Sequence, residues 1–343
     1  MRPLKCVLVG GGAISRQAHL PALKTVPETR CVCLVDTDLN AARLLAGEWK
    51  IPAITDRLDR CPEDAEAVII ATPNHRHAPL ALEALYRGLH VLCEKPLART
   101  AGEAAPVVEE ARHRGLILAT GVVLRQSPGL RRAHDKFPIS ELGRVRSVTA
   151  DYGLTLDWPA GGDTLFNRER AGGGALIDQG SHLLDSLFWT FCVKSAEAEE
   201  YRDDGEGGVE AEGEGRLLLR SAHQSQPVPC RFRVSRLRRL PNSLRWEGEG
   251  GTLVVPLSHL DMPTFIPGGG EKARLLYPEW TPRMSWTDLF AFQLRDFARR
   301  VRGEPVGVAD GESQLEILRM MERCYALRKP LRHPWEEATP WPL

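Results

Sequence analysis

The feature that most constrains the fold is an apolar strand that runs directly into a glycine-rich turn near the start of the chain. Val7 to Val9 end the predicted strand, Gly10 to Gly12 form the turn, and a helix-compatible stretch continues to Lys24. Strand-like runs and helical patterns then alternate through the first 122 residues. Strands that alternate with helices predict a doubly wound α/β domain with a parallel sheet. The predicted strands are Lys5–Val9, Arg30–Asp36, Ala67–Ala71, His90–Cys93 and Leu116–Thr120.

The glycine turn has the spacing with which dinucleotide-binding folds approach a pyrophosphate. Its pattern is G-x-G-x-x-S, in which Ser15 stands where a third glycine is usual. The first glycine permits the tight turn, and the second lets the backbone come close to phosphates at the helix N-terminus. Ser15 is small enough for the helix to pack closely on the strand. The predicted cofactor-binding residues of this turn are Gly10, Gly12, Ala13 and Ile14.

A carboxylate at the end of the second predicted strand indicates which dinucleotide binds. Asp36 is placed to accept hydrogen bonds from both hydroxyls of the adenosine ribose. No Arg or Lys stands at positions 37 to 40 to receive a 2′-phosphate. The expected cofactor is therefore NAD, with NADP disfavoured. The alternative is that Asp36 only caps the helix that follows.

After about residue 122 the pattern changes to long polar–apolar alternation, which is typical of an antiparallel sheet. We therefore predict a Rossmann NAD-binding domain over residues 1–122 and an α+β domain with an open, mostly antiparallel sheet over 123–343, which binds substrate and forms oligomers. Two helical runs close the chain, and we expect these helices, at about 286–328, to pack back towards the first domain. The alternating runs are Gly143–Thr155, Gly215–Leu219 and Cys230–Leu237, and the helical runs are Trp286–Arg302 and Gly311–Arg328.

The acidic, glycine-rich stretch at 196–215 is interpreted as a solvated loop without a function. Charge excludes other classes of protein, because 45 basic residues balance 45 acidic ones and leave no excess to hold a nucleic acid or an anionic bilayer. No apolar run approaches the roughly 20 residues of a membrane span. The N-terminus lacks the longer apolar stretch of a signal peptide, which predicts a cytoplasmic protein. The eight cysteines contain no C-x-x-C pair, and no metal is expected.

Three further motifs follow the glycine turn along the chain. The first is A-T-P-N-H-R-H at 71–77, and the second is E-K-P at 94–96. The third is a glycine cluster at 172–174 followed by D-Q-G-S-H at 178–182. In this order, the motifs resemble those of the Gfo/Idh/MocA family of nicotinamide-dependent oxidoreductases. The resemblance covers nearly the whole chain, although residues 195 to 285 match only loosely.

The resemblance implies a Rossmann domain, a second domain with an open sheet, and an active site in the cleft between them. It also implies hydride transfer between NAD(H) or NADP(H) and a carbon of a sugar, amino sugar, cyclitol or similar polyol. By the same resemblance, Thr72, Asn74 and His77 lie along the cofactor, and Glu94 and Lys95 lie near its nicotinamide end.

The chemistry of the motif residues agrees with that expectation. Lys95 follows a strand's carboxyl end, so its ammonium is placed to enter the crevice and stabilise negative charge on the reacting oxygen. His182 supplies the imidazole that takes or returns a hydroxyl proton near neutral pH, and Asp178, one helical turn before it, is expected to orient it. The glycines at 172–174 are expected to let backbone approach a ligand. Asp185 is interpreted as a structural partner.

Several alternatives stay open at this point. The same residues would serve a glycoside hydrolase or epimerase that recycles its hydride, whereas a non-catalytic dinucleotide-binding sensor would not need a proton relay. Lys95 could be a loop lysine and His182 a structural helix histidine. Arg125, Trp158 and Arg168 flank the predicted cleft, where they could bind hydroxyl or anionic groups of the substrate. The alternative is that the arginines are stacked or salt-bridged at a domain interface. A homodimer or homotetramer is expected from the open sheet face.

Overall fold

Two sheets organise the chain, one parallel and one mostly antiparallel, as the sequence predicts. Among the described residues, no helix combines the length and the apolar character that a bilayer crossing requires. The computed structural model describes residues 2–135, 139–156, 164–258, 260–276 and 284–331.

The first sheet has six parallel strands in the order β3-β2-β1-β4-β5-β6. The strands are β1 (Leu4–Val9), β2 (Thr29–Val35), β3 (Ile54–Thr55), β4 (Ala67–Ile70), β5 (His90–Glu94) and β6 (Leu118–Gly121). The five predicted strands are confirmed to within two residues at each end. The sequence analysis missed β3, because two residues are too few to show alternation. The strand order reverses between β1 and β4, which places a ligand crevice at their carboxyl ends.

The helices of this half begin and end at recognisable residues. They are α1 (Leu20–Thr25), α2 (Leu39–Trp49), α3 (His77–Tyr86) and α4 (Ala101–Arg114), and a π-helical segment (Ser15–His19) leads into α1. Asp38 caps α2, since its carboxylate accepts the amide protons of Asn40 and Ala41 at 3.0 Å. The alternative reading of Asp36 as that cap is therefore wrong. Thr100 caps α4, since its hydroxyl oxygen accepts the amide proton of Glu103.

The second sheet has nine strands in the order β14-β13-β12-β11-β7-β10-β9-β8-β15. Within the described part of this sheet, the β7–β10 and β8–β15 pairs are parallel and the other strand pairs are antiparallel. The strands are β7 (Val145–Gly153), β8 (Val193–Asp203), β9 (Glu212–Ser221), β10 (Val228–Ser235), β11 (Ser243–Gly248), β12 (Gly251–Pro256), β13 (Thr264–Pro267), β14 (Arg274–Leu275) and β15 (Arg328–Pro330). The helices of this half are α5 (Pro128–Asp135), α6 (Ile139–Leu142), α7 (Arg168–Ala171), α8 (Ala175–Thr190), α9 (Trp286–Val301) and α10 (Gly311–Ala326).

Helix α8 covers one face of the second sheet and is buried along nearly its whole length. Its leucines share one apolar core with the inward side chains of the strands, including Phe232 and Trp246. Helix α9 packs on α1 and contributes Leu289 and Phe297 to the core beneath the first sheet. Helix α10 packs between α4 and α8. The second half of the chain therefore has extensive contact with the first.

The acidic stretch differs from the prediction. Strands β8 and β9 occupy most of it, and only residues 204–211 form the connecting loop. Asp203, Glu210 and Glu212 are buried, contrary to a solvated loop. Their charges are compensated by distant arginines, since Arg328 contacts Asp203 and Glu210, and Arg238 contacts Glu212. Composition shows the acids but not the partners that allow them to be buried.

A buried ion pair ties the segment after β6 to α8 and α10. Both nitrogens Nε and Nη2 of Arg125 donate to the carboxylate of Asp185, at 2.8 and 2.6 Å, and the amide of Gln314 donates to it at 2.6 Å. The guanidinium also lies over the ring of Trp189. Asp185 is completely buried. Its predicted role as a structural partner is consistent with this arrangement.

Replacing Asp185 tests how much this buried ion pair contributes to the free energy of unfolding. Asp185→Ala leaves the Arg125 guanidinium without its partner, so we expect the free energy of unfolding to fall by about 3–5 kcal/mol. Urea denaturation followed by circular dichroism measures the change. The control Glu316→Gln removes a carboxylate of the exposed Glu316–Arg319 pair, for which we expect a loss of at most about 1 kcal/mol. Equal losses in the two variants would contradict the assignment.

Candidate active site

The glycine turn lies at the switch point between β1 and β4 with its backbone close to the neighbouring strand. Gly10 has φ +97°, and a Cβ there would lie 2.4 Å from the carbonyl oxygen of Ala71, so only glycine fits. Gly12 is exposed, and nothing lies within 4 Å of its Cβ position. Ser15 is buried and donates its hydroxyl proton to the Gly10 carbonyl at 2.5 Å. The serine thus holds the turn at the position of a third glycine.

Asp36 faces this turn. Its Oδ2 accepts the amide proton of Gly11 at 2.7 Å, and its Oδ1 accepts that of Asp38 at 3.0 Å. The sequence analysis missed Arg16, which lies on the helix side of the turn and donates from Nε to the Gly11 carbonyl at 3.0 Å. Arg16 lies twenty residues before Asp36 in the sequence, so the residues that follow Asp36 do not indicate it. The peptide of Gly11 therefore lies between a carboxylate and a guanidinium.

The A-T-P-N-H-R-H segment follows β4 at the same edge. The buried hydroxyl oxygen of Thr72 has no hydrogen-bond partner among the described residues, and Asn74 donates to the Ala171 carbonyl at 2.8 Å. The side chain of His77 is buried, and its two ring nitrogens lie 2.7 Å from the carbonyl oxygens of Thr72 and Pro96. His77 therefore holds together the loops after β4 and β5. Its predicted place along a cofactor stays a prediction.

These residues fit a dinucleotide. The space above Gly12 would admit a pyrophosphate at the start of the helix, and the unpartnered Thr72 hydroxyl lies beside the same turn. Asp36 keeps acceptor capacity for ribose hydroxyls. Among the described residues, no group of three or more His, Cys, Asp and Glu side chains is arranged to hold a metal ion.

A cavity of about 340 Å³ opens between the two sheets beside this crevice. Glu94, Lys95, Asp178 and His182 line it, so the structure brings the three predicted catalytic residues together. Much of the remaining lining is apolar. It includes Ile14, Tyr152, Leu154, Leu156, Trp286 and Phe290.

Lys95 and Asp178 form an ion pair in this cavity. The Nζ of Lys95 donates to Oδ1 of Asp178 at 2.5 Å and to the Asp178 carbonyl at 3.1 Å. The second carboxylate oxygen lies 3.4 Å from a terminal nitrogen of Arg236, which is almost completely buried. Burial alone would raise the pKa of Asp178, but Lys95 and Arg236 outweigh it and lower the pKa to about 2. Asp178 is therefore a carboxylate at neutral pH.

Arg236 is a site residue that the sequence analysis did not single out. Three arginines, Arg236, Arg238 and Arg239, follow directly after β10, and nothing local distinguishes Arg236 from the other two. Only the packing of β10 against α8 brings it to Asp178.

His182 lies one helical turn after Asp178, but the two side chains are not hydrogen-bonded. Its Nδ1 is buried without a hydrogen-bond partner among the described residues. Its ring packs edge-to-face with that of Tyr152, and the two ring centroids are 6.0 Å apart. Burial and the Lys95 ammonium lower the pKa of His182 from 6.5 to about 3. The expected titration near neutral pH is therefore wrong, because only 9% of the residue is exposed to water. The carboxylate of Asp178 faces Lys95 instead of orienting the imidazole.

Glu94 is a second buried carboxylate at the cavity. Its Oε1 lies 2.8 Å from Nε2 of His19, and its Oε2 accepts the backbone proton of Lys95 at 3.2 Å. Burial would raise the pKa of Glu94, but the hydrogen bond to His19 and the positive charge of Lys95 together outweigh it, so the net shift of the pKa is downward. A Cβ at Gly121 would lie 2.8 Å from this carboxyl group, so a larger residue there would displace the Glu94 side chain. His19 thus emerges as a partner of the E-K-P motif.

The other flanking residues have structural partners. Arg125 binds Asp185, and Arg168 lies over the ring of Tyr325 and donates to the carbonyls of Gly207 and Gly208. Trp158 lies outside the described residues. A Cβ at Gly172 or at Gly174 would collide with Arg99 or with Glu210. The glycine cluster therefore meets protein atoms, where the sequence analysis expected a ligand.

Comparisons with known proteins agree with this geometry. Residues 4–122 match the model of an oxidoreductase family with an NAD-binding Rossmann fold, and residues 131–254 match the GFO/IDH/MocA C-terminal domain. The D-glucoside 3-dehydrogenase of Escherichia coli strain K12 is 28% identical over 208 residues, which are 59% of each chain. The match therefore spans less than two thirds of that relative's length.

Two other comparisons extend over most of the chain. The D-xylose 1-dehydrogenase (NADP(+)) 2 of Haloferax volcanii is 32% identical over 327 residues, which are 93% of this chain and 95% of that one. The crystal structure of the aldose-aldose oxidoreductase from Caulobacter crescentus superposes with a TM-score of 0.81 at 23% identity, and it covers 95% of this chain and 97% of that chain. At this level of identity, the comparison with the crystal structure shows that the two proteins share a fold.

The low pKa of His182 predicts a pH dependence of stability. In the unfolded chain the imidazole takes up a proton near its ordinary pKa of about 6.5, whereas in the folded protein it stays neutral down to about 3. Between those values the unfolded state binds more protons, so the free energy of unfolding falls as the pH falls. We expect His182→Asn to reduce the loss of stability between about pH 7 and about pH 4, as measured by urea denaturation.

The control is His113→Asn on the exposed side of α4. This variant should keep the pH dependence of the parent protein. An unchanged dependence in His182→Asn would show that His182 takes up its proton equally readily in both states.

Proposed function

Because this chain belongs to the Gfo/Idh/MocA family of oxidoreductases, we propose that it transfers hydride between NAD and a carbinol or keto carbon of a sugar, amino sugar, cyclitol or similar polyol. The observation that carries the proposal is the convergence of Lys95, Asp178 and His182 on one cavity beside the glycine turn. The sugar dehydrogenases among the relatives support a sugar-like alcohol as the substrate. A mostly apolar cavity with one paired ammonium also suits an uncharged polyol better than a strongly anionic ligand.

Gly10, Gly12, Ala13, Ile14 and Asp36 would hold the pyrophosphate and adenosine ribose. Thr72 and Asn74 would line the path to the cavity, with His77 holding the loops in place, and Glu94 and Lys95 would lie at the nicotinamide end. The bound nicotinamide supplies the hydride acceptor or donor.

Lys95 is proposed to bind the reacting oxygen. Its ammonium already lies in the cavity, held from one side by the carboxylate and the carbonyl of Asp178. Two acceptors on one residue fix the direction of the N–H groups, so little rearrangement is needed when negative charge builds on a substrate oxygen. Asp178 therefore acts through Lys95.

His182 is proposed to take the hydroxyl proton during oxidation and to return it during reduction. With its pKa lowered to about 3, the imidazole is neutral at physiological pH, and its buried Nδ1 has no hydrogen-bond partner among the described residues, so it can accept a hydrogen bond from the substrate hydroxyl. The surrounding apolar side chains exclude water, which strengthens the contact with the substrate hydroxyl.

Self-association is proposed for the uncovered face of the second sheet. Helix α8 covers the other face, whereas Arg216 on β9, Arg231 on β10 and Arg245 on β11 are exposed. Acidic residues alternate with them, as in the Arg231–Glu214 pair. Such a face suits a second copy of the chain in a homodimer or homotetramer. We further propose that the protein acts in the cytoplasm.

The direct test is a panel of sugars, amino sugars and inositols, scored by the absorbance of reduced nicotinamide with added NAD. We expect net reduction of NAD by at least one substrate. Lys95→Met keeps much of the side-chain volume but removes the charge, so kcat should fall on the order of 10²-fold while the Kd for NAD changes little. Lys194→Met, at an exposed position of β8, is the matched control and should keep full activity.

Turnover of Lys95→Met at the normal rate would return Lys95 to the class of loop lysines. Bound NAD without net reduction by any alcohol in the panel would contradict a dehydrogenase and favour chemistry that recycles its hydride.

The cofactor preference is tested at Asp36. The carboxylate would accept hydrogen bonds from the ribose and repel a 2′-phosphate. Asp36→Ala should therefore raise the Kd for NAD by about tenfold and reduce the ratio of the Kd for NADP to the Kd for NAD. Isothermal titration with both cofactors measures the two constants. Asp38→Asn removes a neighbouring charge while it keeps the cap of α2, and it should leave the preference unchanged. Tighter binding of NADP to the wild-type protein, with Arg16 as the cation, would contradict the assignment.

A further inference from the structure

We propose that Glu210 is a positioning residue of the active site. Its side chain and backbone fix the N-terminus of α8, and thereby the position of Asp178, whose carboxylate and carbonyl hold the Lys95 ammonium. The inference rests on the proposed function, since it assigns Glu210 an effect on the same reaction. Glu210 lies in the loop between β8 and β9, within a stretch that composition alone marks as solvated. The structure instead buries it completely.

The first observation is that Glu210 accepts hydrogen bonds from backbone amides at the start of α8. Its Oε1 accepts the backbone protons of Gly174 at 3.0 Å and Leu176 at 2.9 Å, and its carbonyl oxygen accepts that of Ala175 at 2.9 Å. These are three consecutive amides at the start of α8. The residue at the helix cap is Gly174, which has no side chain to accept them. A distant glutamate therefore performs the capping that a local Ser, Thr or Asp performs elsewhere.

The second observation is the close contact of the two backbones. A Cβ at Gly174 would lie 1.9 Å from the carbonyl oxygen of Glu210, and one at Gly205 would lie 2.9 Å from its nitrogen. A Cβ at Gly173 would lie 2.2 Å from the hydroxyl of Tyr325. Glycine at these positions lets the loop and the helix start touch directly, so the helix has little freedom to slide along its axis.

The third observation is the compensation of the buried charge. The hydroxyl of Tyr325 donates to Oε1 of Glu210 at 2.7 Å, and Arg328 donates to Oε2 at 3.2 Å. Both partners lie at the end of α10 and the start of β15. Since the carboxylate also faces the positive end of the α8 dipole, its charge is favoured where it lies. The C-terminal elements thus hold Glu210, and Glu210 holds α8.

The path from Glu210 to the cavity is short. The amide of Asp178 donates to the carbonyl of Gly174 at 3.0 Å, so Asp178 lies one turn beyond the residue that Glu210 holds. Both acceptors of the Lys95 ammonium belong to Asp178. A displacement of the helix start would therefore move both acceptors together and carry the ammonium away from the reacting oxygen. A misplacement of about 1 Å at a reacting centre costs on the order of 10²-fold in rate.

Three variants test the proposal. Glu210→Ala removes the acceptor completely, Glu210→Gln keeps one carbonyl oxygen for the helix amides, and Tyr325→Phe removes one hydrogen bond to the same carboxylate without changing Glu210. The control is Glu206→Gln, an exposed glutamate of the same loop. For each we would measure kcat and KM per folded molecule, the Kd for NAD, and hydrogen exchange of the amides over residues 172–182.

We expect kcat to fall about 10- to 100-fold in Glu210→Ala, with partial rescue in Glu210→Gln and a smaller loss in Tyr325→Phe. The Kd for NAD should stay within about twofold of the wild-type value, because the glycine turn lies on the other sheet. Exchange at the start of α8 should rise in the same order as kcat falls. Glu206→Gln should match the wild type in every measurement.

Faster exchange with unchanged kcat per folded molecule would overturn the proposal, because Glu210 would then be only a structural residue. Unchanged exchange in Glu210→Ala would overturn it as well. If Glu210→Ala does not fold, Glu210→Gln and Tyr325→Phe decide the question by the same two criteria. A wild-type protein that binds NAD but oxidises no alcohol would refute the proposed function, whereas the exchange measurement would still report whether Glu210 holds the helix.

Discussion

The ion pair between Lys95 and Asp178 is the interaction around which the site is built. Lys95 follows β5 of the parallel sheet, and Asp178 belongs to α8, which packs on the antiparallel sheet. In this half-buried position, each charge offsets part of the desolvation cost of the other. Because the pair crosses the cavity, it fixes the distance between the two halves where a hydride transfer would occur. The ammonium is then directed by the protein before any substrate arrives.

Helix α8 is held in place by buried carboxylates along its length, and its position fixes that of Asp178 in the pair. Glu210 receives the amides at its start, Asp178 faces the cavity, and Asp185 binds Arg125. Each of these carboxylates has a cationic or amide partner from another element, as buried acids require. His182 differs, because its buried imidazole has Tyr152 and Lys95 nearby but no hydrogen bond at Nδ1. Because Nδ1 lacks a partner in the cavity, it is the atom to which a substrate hydroxyl would donate a hydrogen bond.

Sequence reasoning was most reliable where the pattern is local. Strand-like runs that alternate with helical patterns predicted the strands of the first sheet, and the polar–apolar alternation of β7, β9 and β10 predicted the second sheet. It failed where an interaction joins distant residues. Arg236, His19 and Glu210 lie far in sequence from the groups they contact, and none of them stands in a distinctive motif. Even Asp178 and His182, one helical turn apart, turned out to have different partners, since side-chain direction depends on what packs against the helix.

The amino-acid sequence by itself determined the two sheets, the glycine turn with Asp36, and the motifs that bear Lys95, Asp178 and His182. These features follow from short-range rules, in which periodicity, turn geometry and residue chemistry act within a few positions. Only the tertiary structure decided the electrostatic state of the site. The lowered pKa of His182, the ionised Asp178 and the burial of Glu210 each depend on water being excluded and on charges supplied from elsewhere in the chain. Electrostatic energies in a poorly solvated interior depend on distance in space, which a linear pattern does not contain.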